Sequence, residues 1–178
     1  IKFQTYVAEK RVKKNSPIFN VLKKCELNFN DFIKIKKYAD KKKIIFFSTP
    51  FDKDSVKFLN KIKVKLFKIS SFDIANYDLI KEIVKTKKTT IVSTGMATLN
   101  EIRRIVNFFN KHKTKIILLH CVSSYPTKEN ESYLQNINFL RKKFSVPIGL
   151  SDHTKEIKTS IISYCRGTKI FEKHFMLK

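Results

Sequence analysis

The chain has 178 residues, of which 42% are hydrophobic, and its formal net charge is +23, from 38 Lys and Arg against 15 Asp and Glu. This length suits one domain with a substantial core, but it is below the roughly 250 residues of a complete eight-stranded α/β barrel. No apolar run reaches the about 18 residues of a transmembrane helix, and the positive charge comes mostly from dispersed lysines, which argues against nucleic-acid binding as the main function.

Two further features bear on location and completeness. Cys25, Cys121 and Cys165 form no CxxC motif, and no secretory leader is visible. We therefore expect reduced thiols and a cytoplasmic setting. The chain begins at Ile1 and stops at Lys178, directly after a strand-like run. We expect it to be part of a larger enzyme or a truncated gene product.

The predicted elements alternate along the chain. The opening IKFQTY (1–6) indicates a strand, residues 8–30 a long loop and residues 31–42 a helix. Six further apolar runs, each ending in a small polar cluster, indicate buried strands. These runs are IIFFSTPFD (44–52), LFKISSFD (66–73), TTIVSTGM (89–96), IILLHCVSSYPT (116–127), VPIGLSDHT (146–154) and KIFEKHF (169–175).

Helical spacing separates most of these runs. Asp54 and Asn100 are candidate N-caps for two of the helices. Apolar side chains recurring at three and four residues predict the faces that pack on the sheet. These positions are Val56, Leu59, Ile62, Leu79, Ile80, Ile83, Val84, Ile102, Ile105, Val106 and Phe109.

A strand alternating with a helix predicts parallel βαβ units with right-handed crossovers. The count is seven strands, one fewer than closes a barrel, and no helix follows the last strand. We therefore predict an α/β fold, an incomplete (β/α)8 TIM barrel. No repeat or linker marks a domain boundary. Active sites of such barrels lie at the carboxyl ends of the strands, which is where the polar clusters are.

Two histidines end consecutive predicted strands. His153 and His174 should be neighbours at that edge, and two neutral imidazoles there can hold a divalent metal. A hydrogen-bonded structural role is the alternative. Strand alternation puts Ser151 on the side of His153, and Glu172 on the side of His174.

Lysines and hydroxyls at the same edge indicate anion binding. Lys2 and Lys68 lie inside apolar strand runs, so they are candidates for binding phosphate or carboxylate, unless they reach solvent as strand-end residues. The hydroxyl-bearing candidates, each also compatible with an ordinary turn residue, are Thr49, Ser71, Ser123 and Ser151.

Cys121, Ser123 and Tyr125 alternate and are expected to line one side of their segment. Cys121 is either a nucleophile or a buried small residue, and the second interpretation is favoured because no base lies beside it in the sequence. Gly95 indicates either tight backbone geometry at a strand end or a turn.

The ordered motifs FSTPFD, FKISSFD, IVSTGM, LLHCVSSYPT, IGLSDHT and EKHF resemble the sialic acid synthase family. This family includes the N-acetylneuraminate, legionaminate and pseudaminate synthases. The resemblance covers nearly the whole chain. It implies that residues 1–178 are strands 2 to 8 of the barrel, without the first strand, the last helix and the C-terminal antifreeze-like domain.

The resemblance also implies an activity. The family are transferases of sialic acid biosynthesis that condense phosphoenolpyruvate with an N-acetylated amino sugar, such as N-acetylmannosamine, and release a nonulosonic acid and phosphate. It implies Mn²⁺ or Mg²⁺ held by His153 and His174, and a homodimer in the full-length protein. The same similarity assigns phosphoenolpyruvate binding to Lys2, Thr49, Lys68, Ser71, Ser123 and Ser151, and places Gln4, Asp73 and Tyr125 toward the sugar, as catalytic residues alongside the two histidines.

The chain departs from the family at Asp73, where the family usually has the longer Glu. Two alternatives stay open: an inactive barrel remnant that acts as a scaffold, or another phosphoenolpyruvate-dependent barrel enzyme.

Overall fold

The computed structural model describes residues 1–175, so the last three residues of the predicted barrel segment lie outside the described residues. The strands are β1 (Lys2–Thr5), β2 (Phe47–Pro50), β3 (Leu66–Ile69), β4 (Thr89–Ser93), β5 (Ile116–His120), β6 (Ile148–Asp152) and β7 (Phe171–Lys173). The helices are α1 (Ala8–Arg11), α2 (Phe19–Cys25), α3 (Phe29–Lys41), α4 (Lys53–Lys61), α5 (Tyr77–Lys85), α6 (Leu99–Lys111), α7 (Gln135–Lys143) and α8 (Lys158–Cys165).

The first of two compact units comprises Ile1–Ile69 and Asn76–Thr89. Its strands β1, β2 and β3 pair in parallel, with Gln4 opposite Thr49 and Ser48 opposite Phe67. The helices bury their predicted apolar faces beneath these strands. The side chains of Phe32, Val56, Leu59, Phe67, Ile69, Ile80 and Ile83 are at most 2% exposed.

The second unit comprises Ser70–Ala75 and the chain from Thr90 onward. Its strands also pair in parallel and in sequence order, with Leu119 between Ser93 and Gly149, and Asp152 opposite Lys173. The fully buried side chains of this core include Ile105, Phe109, Leu118, Leu119 and Ile137.

These elements confirm the predicted α/β class. Seven parallel strands occur in the described part of the chain, each strand following its predecessor after at least one helical segment, as expected of an incomplete (β/α)8 barrel. Within residues 1–175, no helix is long and apolar enough to cross a membrane.

Two predicted helix starts were wrong by two residues. Helix α4 is capped by Asp52, whose carboxylate accepts hydrogen bonds from both the backbone N–H and the hydroxyl of Ser55. Helix α6 is capped by Thr98, which forms a reciprocal capping box with Glu101. Each cap side chain accepts a hydrogen bond from the backbone N–H three residues later, which satisfies one of the otherwise unpaired donors of the first turn.

The prediction of a continuous loop over residues 8–30 was also wrong, because α1, α2 and the start of α3 lie there. Helices of four and seven residues are too short to form on propensity alone, so tertiary bonds must hold them. Tyr6 donates its hydroxyl to the Leu22 carbonyl at 2.9 Å, and the Ala8 N–H donates to Glu26 at 2.9 Å. Such contacts leave no periodic pattern in the sequence.

Four lysines occupy the left-handed backbone region just after helices α3 to α6. Lys43, Lys63, Lys87 and Lys113 have φ values of 57°, 60°, 57° and 52°. Glycine is the usual residue at this position, but a cation there interacts favourably with the negative end of the helix dipole. Part of the lysine excess therefore has a local structural role.

Candidate active site

The two predicted metal ligands lie side by side. His153 and His174 directly follow the last residues of β6 and β7, and the Asp152–Lys173 register brings these strand ends level. Their ring centroids are 5.6 Å apart. The predicted convergence of the rings is confirmed, and their role as metal ligands stays a prediction.

His153 has one defined tautomer. Its Nδ1 lies 2.7 Å from the carbonyl oxygen of Val122, which can only accept, so the ring carries its proton on Nδ1. Burial lowers the pKa of His153, and the nearby His174 acts in the same direction, so the ring is neutral at pH 7. The lone pair is therefore on Nε2, which is the form in which imidazole binds a metal.

A hydroxyl and a carboxylate adjoin this lone pair. The Oγ of Ser151 lies 3.2 Å from Nε2 of His153 and donates to Oε1 of Glu172 at 2.8 Å. The single hydroxyl proton can serve only one of these acceptors at a time. This leaves the Nε2 lone pair available, with a negative charge one hydroxyl away that favours a bound cation.

Tyr125 packs on both histidines. Its ring centroid lies 4.1 Å from that of His153 with the planes tilted by 32°, and 5.6 Å from that of His174, edge-on. The residue is 67% exposed, so one side of its ring is open to a ligand. Partial burial raises the pKa of Tyr125, so its hydroxyl stays protonated and can donate.

Ser71 and Ser123 both lie beside Gly95, where the backbone passes close to Cys121. The Ser71 hydroxyl accepts a hydrogen bond from the Gly95 N–H at 3.1 Å and lies 3.1 Å from the Cys121 thiol. A Cβ on Gly95 would come within 2.7 Å of Cys121 Sγ and Ser123 Oγ and within 2.8 Å of the Cys121 carbonyl oxygen, and because this last atom is backbone, only glycine fits. Cys121 is 4% exposed, which favours the structural interpretation of this residue.

Asp73 is held within its own turn. Its side chain is 6% exposed and accepts a hydrogen bond from the Ser70 hydroxyl at 2.6 Å. The turn Ser71–Asp73 is a short 3₁₀ helix, in which Asp73 also donates its N–H to the Ser70 carbonyl. The predicted role of Asp73 toward a sugar stays a prediction.

The remaining predicted residues belong to the first unit. The register puts Gln4 opposite Thr49, and Lys68 lies one residue beyond the Ser48–Phe67 pair, so the three form a row across β1, β2 and β3. Lys2 precedes Gln4 by two residues and shares its side of β1. Lys68 is 2% exposed and donates from Nζ to the Ile69 carbonyl at 2.9 Å, while Thr49 is also 2% exposed.

The donor set of the second unit fits a divalent cation. Among the described residues, no group of three or more His, Cys, Asp or Glu side chains surrounds one point. Two imidazole ligands leave most coordination positions for water and substrate oxygens, as an open, catalytic type of metal site requires. Imidazole nitrogen suits Mn²⁺ better than Mg²⁺, which prefers oxygen ligands.

Sequence reasoning missed Asp152 and Lys173, which form an ion pair with 3.0 Å between Oδ2 and Nζ. Burial alone would raise the pKa of Asp152, but hydrogen bonds from Ser160, Thr154 and Lys173 outweigh it and lower the pKa, so the carboxylate is ionised. The motifs SDH and EKH carry opposite charges at their middle positions, and this equal spacing could have revealed the pair.

A second buried histidine makes stability depend on pH. His120 ends β5, is 5% exposed and donates from Nε2 to the Ser132 carbonyl at 2.8 Å. Burial lowers the pKa of His120. The unfolded chain therefore takes up a proton that the folded protein does not, and the free energy of unfolding falls as pH drops through the ordinary histidine pKa.

We expect His120→Gln to weaken this dependence. The wild type should lose stability between pH 7.5 and 5.5, and the variant should lose less, although His153 contributes in the same direction. Thermal unfolding at the two pH values measures the difference. Equal losses for both proteins would contradict the assignment. His112→Gln, at the half-buried residue that follows α6, is the matched control.

Comparison with known proteins identifies the family. A sequence model of the NeuB family matches residues 1–178. The chain belongs to the NeuB family. Its similarity to an N,N'-diacetyllegionaminic acid synthase of Campylobacter jejuni is 40% identity over 160 residues, covering 88% of this chain and 48% of that protein. An uncharacterized protein of Methanocaldococcus jannaschii is 42% identical over 178 residues, covering 99% of this chain and 53% of that protein.

A solved NeuB-type structure has the same fold. The N-acetylneuraminic acid synthetase of Leptospira borgpetersenii, crystallised with citrate, superposes with a TM-score of 0.96 at 39% identity, covering 100% of this chain and 62% of that chain. The resemblance to sialic acid synthases inferred from the motifs is thereby confirmed. The chain spans about half the length of the curated relatives that it matches.

Proposed function

We propose that this NeuB-family protein condenses phosphoenolpyruvate with an N-acetylated amino sugar aldehyde, of the N-acetylmannosamine type, to give a nonulosonic acid and phosphate. Relatives at about 40% identity are named as synthases of such acids. The observation that carries the proposal is the meeting of His153 and His174 at adjacent strand ends, with Tyr125 against both rings.

The second unit is proposed to bind the metal and the sugar. The Nε2 of His153 and a ring nitrogen of His174 would hold a divalent cation, with Mn²⁺ favoured by the nitrogen donors. When bound, this cation supplies Lewis-acid polarisation of the sugar aldehyde. The exposed face of Tyr125 offers an apolar surface for the sugar, and its protonated hydroxyl can donate to a sugar oxygen.

The residues that the family resemblance assigns to phosphoenolpyruvate are proposed to bind that anion. Lys68 and Lys2 supply positive charge, and the hydroxyls of Thr49, Ser71, Ser123 and Ser151 supply neutral donors. Charge-assisted hydrogen bonds of this kind hold the phosphate and carboxylate in one orientation. The net charge of +23 raises the local concentration of such anions around the protein.

The proposed reaction needs orientation more than strong acid or base. Carbon 3 of phosphoenolpyruvate attacks the aldehyde carbon, and the aldehyde oxygen takes a proton to become a hydroxyl. Carbon 2 becomes cationic and adds water, one proton of which balances the proton taken by the aldehyde oxygen. The tetrahedral intermediate then expels phosphate by C–O cleavage, the remaining proton leaves with the phosphate, and carbon 2 becomes a ketone. Fixed lysine and hydroxyl donors lower this barrier by positioning the anion and stabilising its charge.

Phosphate release tests the proposal. The protein, with any sequence that flanks residues 1–178 in its gene retained, is incubated with phosphoenolpyruvate, Mn²⁺ and N-acetylmannosamine or a related N-acetylated amino sugar. We expect phosphate and a nonulosonic acid in equal amounts, and neither product when the sugar or the metal is omitted. Phosphate release without sugar, or with non-acetylated aldoses alone, would contradict the proposal.

A further inference from the structure

We propose that the Asp152–Lys173 ion pair is a positioning device that sets the orientation of His153 and His174. The inference rests on the proposed function in one respect, namely that the two rings hold a metal. The orientation of the rings is a property of the protein alone, however, and can be measured without any metal or substrate. The two parts are therefore separable.

The pair lies on the opposite side of the strands from the candidate site. Asp152 and Lys173 are register partners, as are Ser151 and Glu172 one residue earlier. Because side chains alternate along a strand, the ion pair points away from the side that carries Ser151 and Glu172. Neither member has a described hydrogen bond or ring contact with Tyr125 or the imidazoles. The Asp152 charge does act on His153, favouring its protonated form and so raising its pKa against the larger effect of burial, but a charge alone does not orient a ring, so the positioning would act through the backbone.

The Asp152 carboxylate uses both oxygens. Oδ1 accepts hydrogen bonds from the backbone N–H of Thr154 at 2.9 Å and from its hydroxyl at 2.7 Å. Oδ2 accepts from the Ser160 hydroxyl at 2.7 Å and from Lys173 Nζ at 3.0 Å. The side chain is 1% exposed, so these four bonds form away from competing water. Through these bonds Asp152, which precedes His153, also fixes Thr154, which follows it.

The Lys173 ammonium group uses three acceptors. In addition to Asp152, Nζ donates to the carbonyl oxygens of Thr154 at 2.7 Å and Glu156 at 3.0 Å. An ammonium group has three N–H donors, so all three are satisfied. Lys173 thereby ties the end of β7 to the loop that follows His153, and His174 is the next residue along the chain.

The directional hydrogen bonds of the Asp152–Lys173 pair, more than any stability that it adds, explain why charged side chains occupy this position. A buried ion pair contributes little net stability compared with apolar side chains of the same volume, because desolvation offsets the attraction. Apolar side chains would not form the six directional bonds of Asp152 and Lys173 that define the path of residues 152–156. Removing Lys173 alone leaves the buried carboxylate of Asp152 without its cation, so the loop must move to resolvate it.

Lys173→Met in the full-length protein tests the inference, with Co²⁺ alone as the probe. We expect the Co²⁺ dissociation constant to rise about 10- to 100-fold, as when residues that orient metal ligands are lost. The visible Co²⁺ spectrum should change as well. Ile105→Ala, a buried substitution on α6, is the stability control: at a comparable loss in Tm, its Co²⁺ affinity should stay within about twofold of the wild type.

A metal-free readout accompanies this titration. Ring nitrogen NMR should show His153 in the Nδ1–H tautomer in the wild type and a mixture of tautomers in Lys173→Met. His120, whose Nε2–H donates to Ser132, is the internal reference and should keep its tautomer in both proteins. Ser160→Ala removes one bond to Asp152 while leaving the ion pair, so it should shift both readouts in the same direction by less.

These outcomes are distinguishable. If the wild type binds no Co²⁺, the metal part of the proposed function fails, and the His153 tautomer still decides the role of the ion pair. If Lys173→Met folds with an unchanged tautomer and an affinity within twofold of the wild type, the positioning role is wrong. If Lys173→Met does not fold, Ser160→Ala decides, and no change in either of its readouts would overturn the inference.

Discussion

We expect His153→Ala and His174→Ala each to lower the rate of nonulosonic acid formation at least a thousandfold. Each variant removes one of two imidazoles whose centroids are 5.6 Å apart, and a single imidazole holds a divalent cation weakly. Lewis-acid polarisation is worth several kcal/mol, and about 1.4 kcal/mol corresponds to a factor of ten in rate. Steady-state phosphate release with Mn²⁺, phosphoenolpyruvate and the amino sugar measures the loss.

His112→Ala is the matched control for this pair of variants. His112 follows α6, where its ring packs on Phe108 and its Nδ1 donates to the Phe108 carbonyl at 2.8 Å. It has no described contact with His153 or His174, so its variant should keep near-normal activity. If either site variant also kept near-normal activity, the assignment of both histidines as ligands would be wrong.

The second large effect is expected from Lys68→Met. Lys68 is 2% exposed, and an ammonium group that deep requires strong partners. We propose that the phosphoenolpyruvate anion is one of them. Methionine keeps most of the side-chain length and removes the charge. Because a hydrogen bond to a charged group contributes about 1.5–3 kcal/mol, KM for phosphoenolpyruvate should rise about 10- to 100-fold.

Lys65→Met is the matched control, because it removes one positive charge from an exposed lysine just before β3. It therefore separates the effect of charge at the proposed anion site from the effect of the net charge of the protein. This control should leave KM for phosphoenolpyruvate within twofold of the wild type. The Ile69 carbonyl offers Lys68 a structural role instead. If that role were the whole explanation, Lys68→Met would lower Tm and leave KM unchanged, which would remove Lys68 from the proposed anion site.

Several features of the fold could be predicted because they repeat. The faces of α5 and α6 follow from apolar spacing, and Leu79, Ile83, Ile102 and Phe109 are buried as expected. The short helices α1 and α2 could not be predicted, because contacts such as that of Tyr6 with the Leu22 carbonyl hold them, and these join residues far apart in sequence. Periodicity carries no information about such contacts.

Some features of the candidate site could likewise be predicted from the sequence, and others could not. The meeting of His153 and His174 follows from two parallel strands ending at one edge, so it could be predicted. The Nδ1–H tautomer of His153 depends on a carbonyl at Val122, a residue 31 positions earlier in the chain. The stacking of Tyr125 depends on the path of a loop. Alternation and the equal spacing of the SDH and EKH motifs could have predicted that Asp152 faces Lys173 on the side away from the site, but not that Lys173 also binds the carbonyls of Thr154 and Glu156.

A crystal structure of the protein with Mn²⁺, using the anomalous signal of the metal, tests the central claim most directly. We predict one strong anomalous peak within bonding distance of Nε2 of His153 and of a ring nitrogen of His174. A peak elsewhere with both imidazoles uncoordinated, or no peak at millimolar Mn²⁺ with the rings 5.6 Å apart as described, would contradict it.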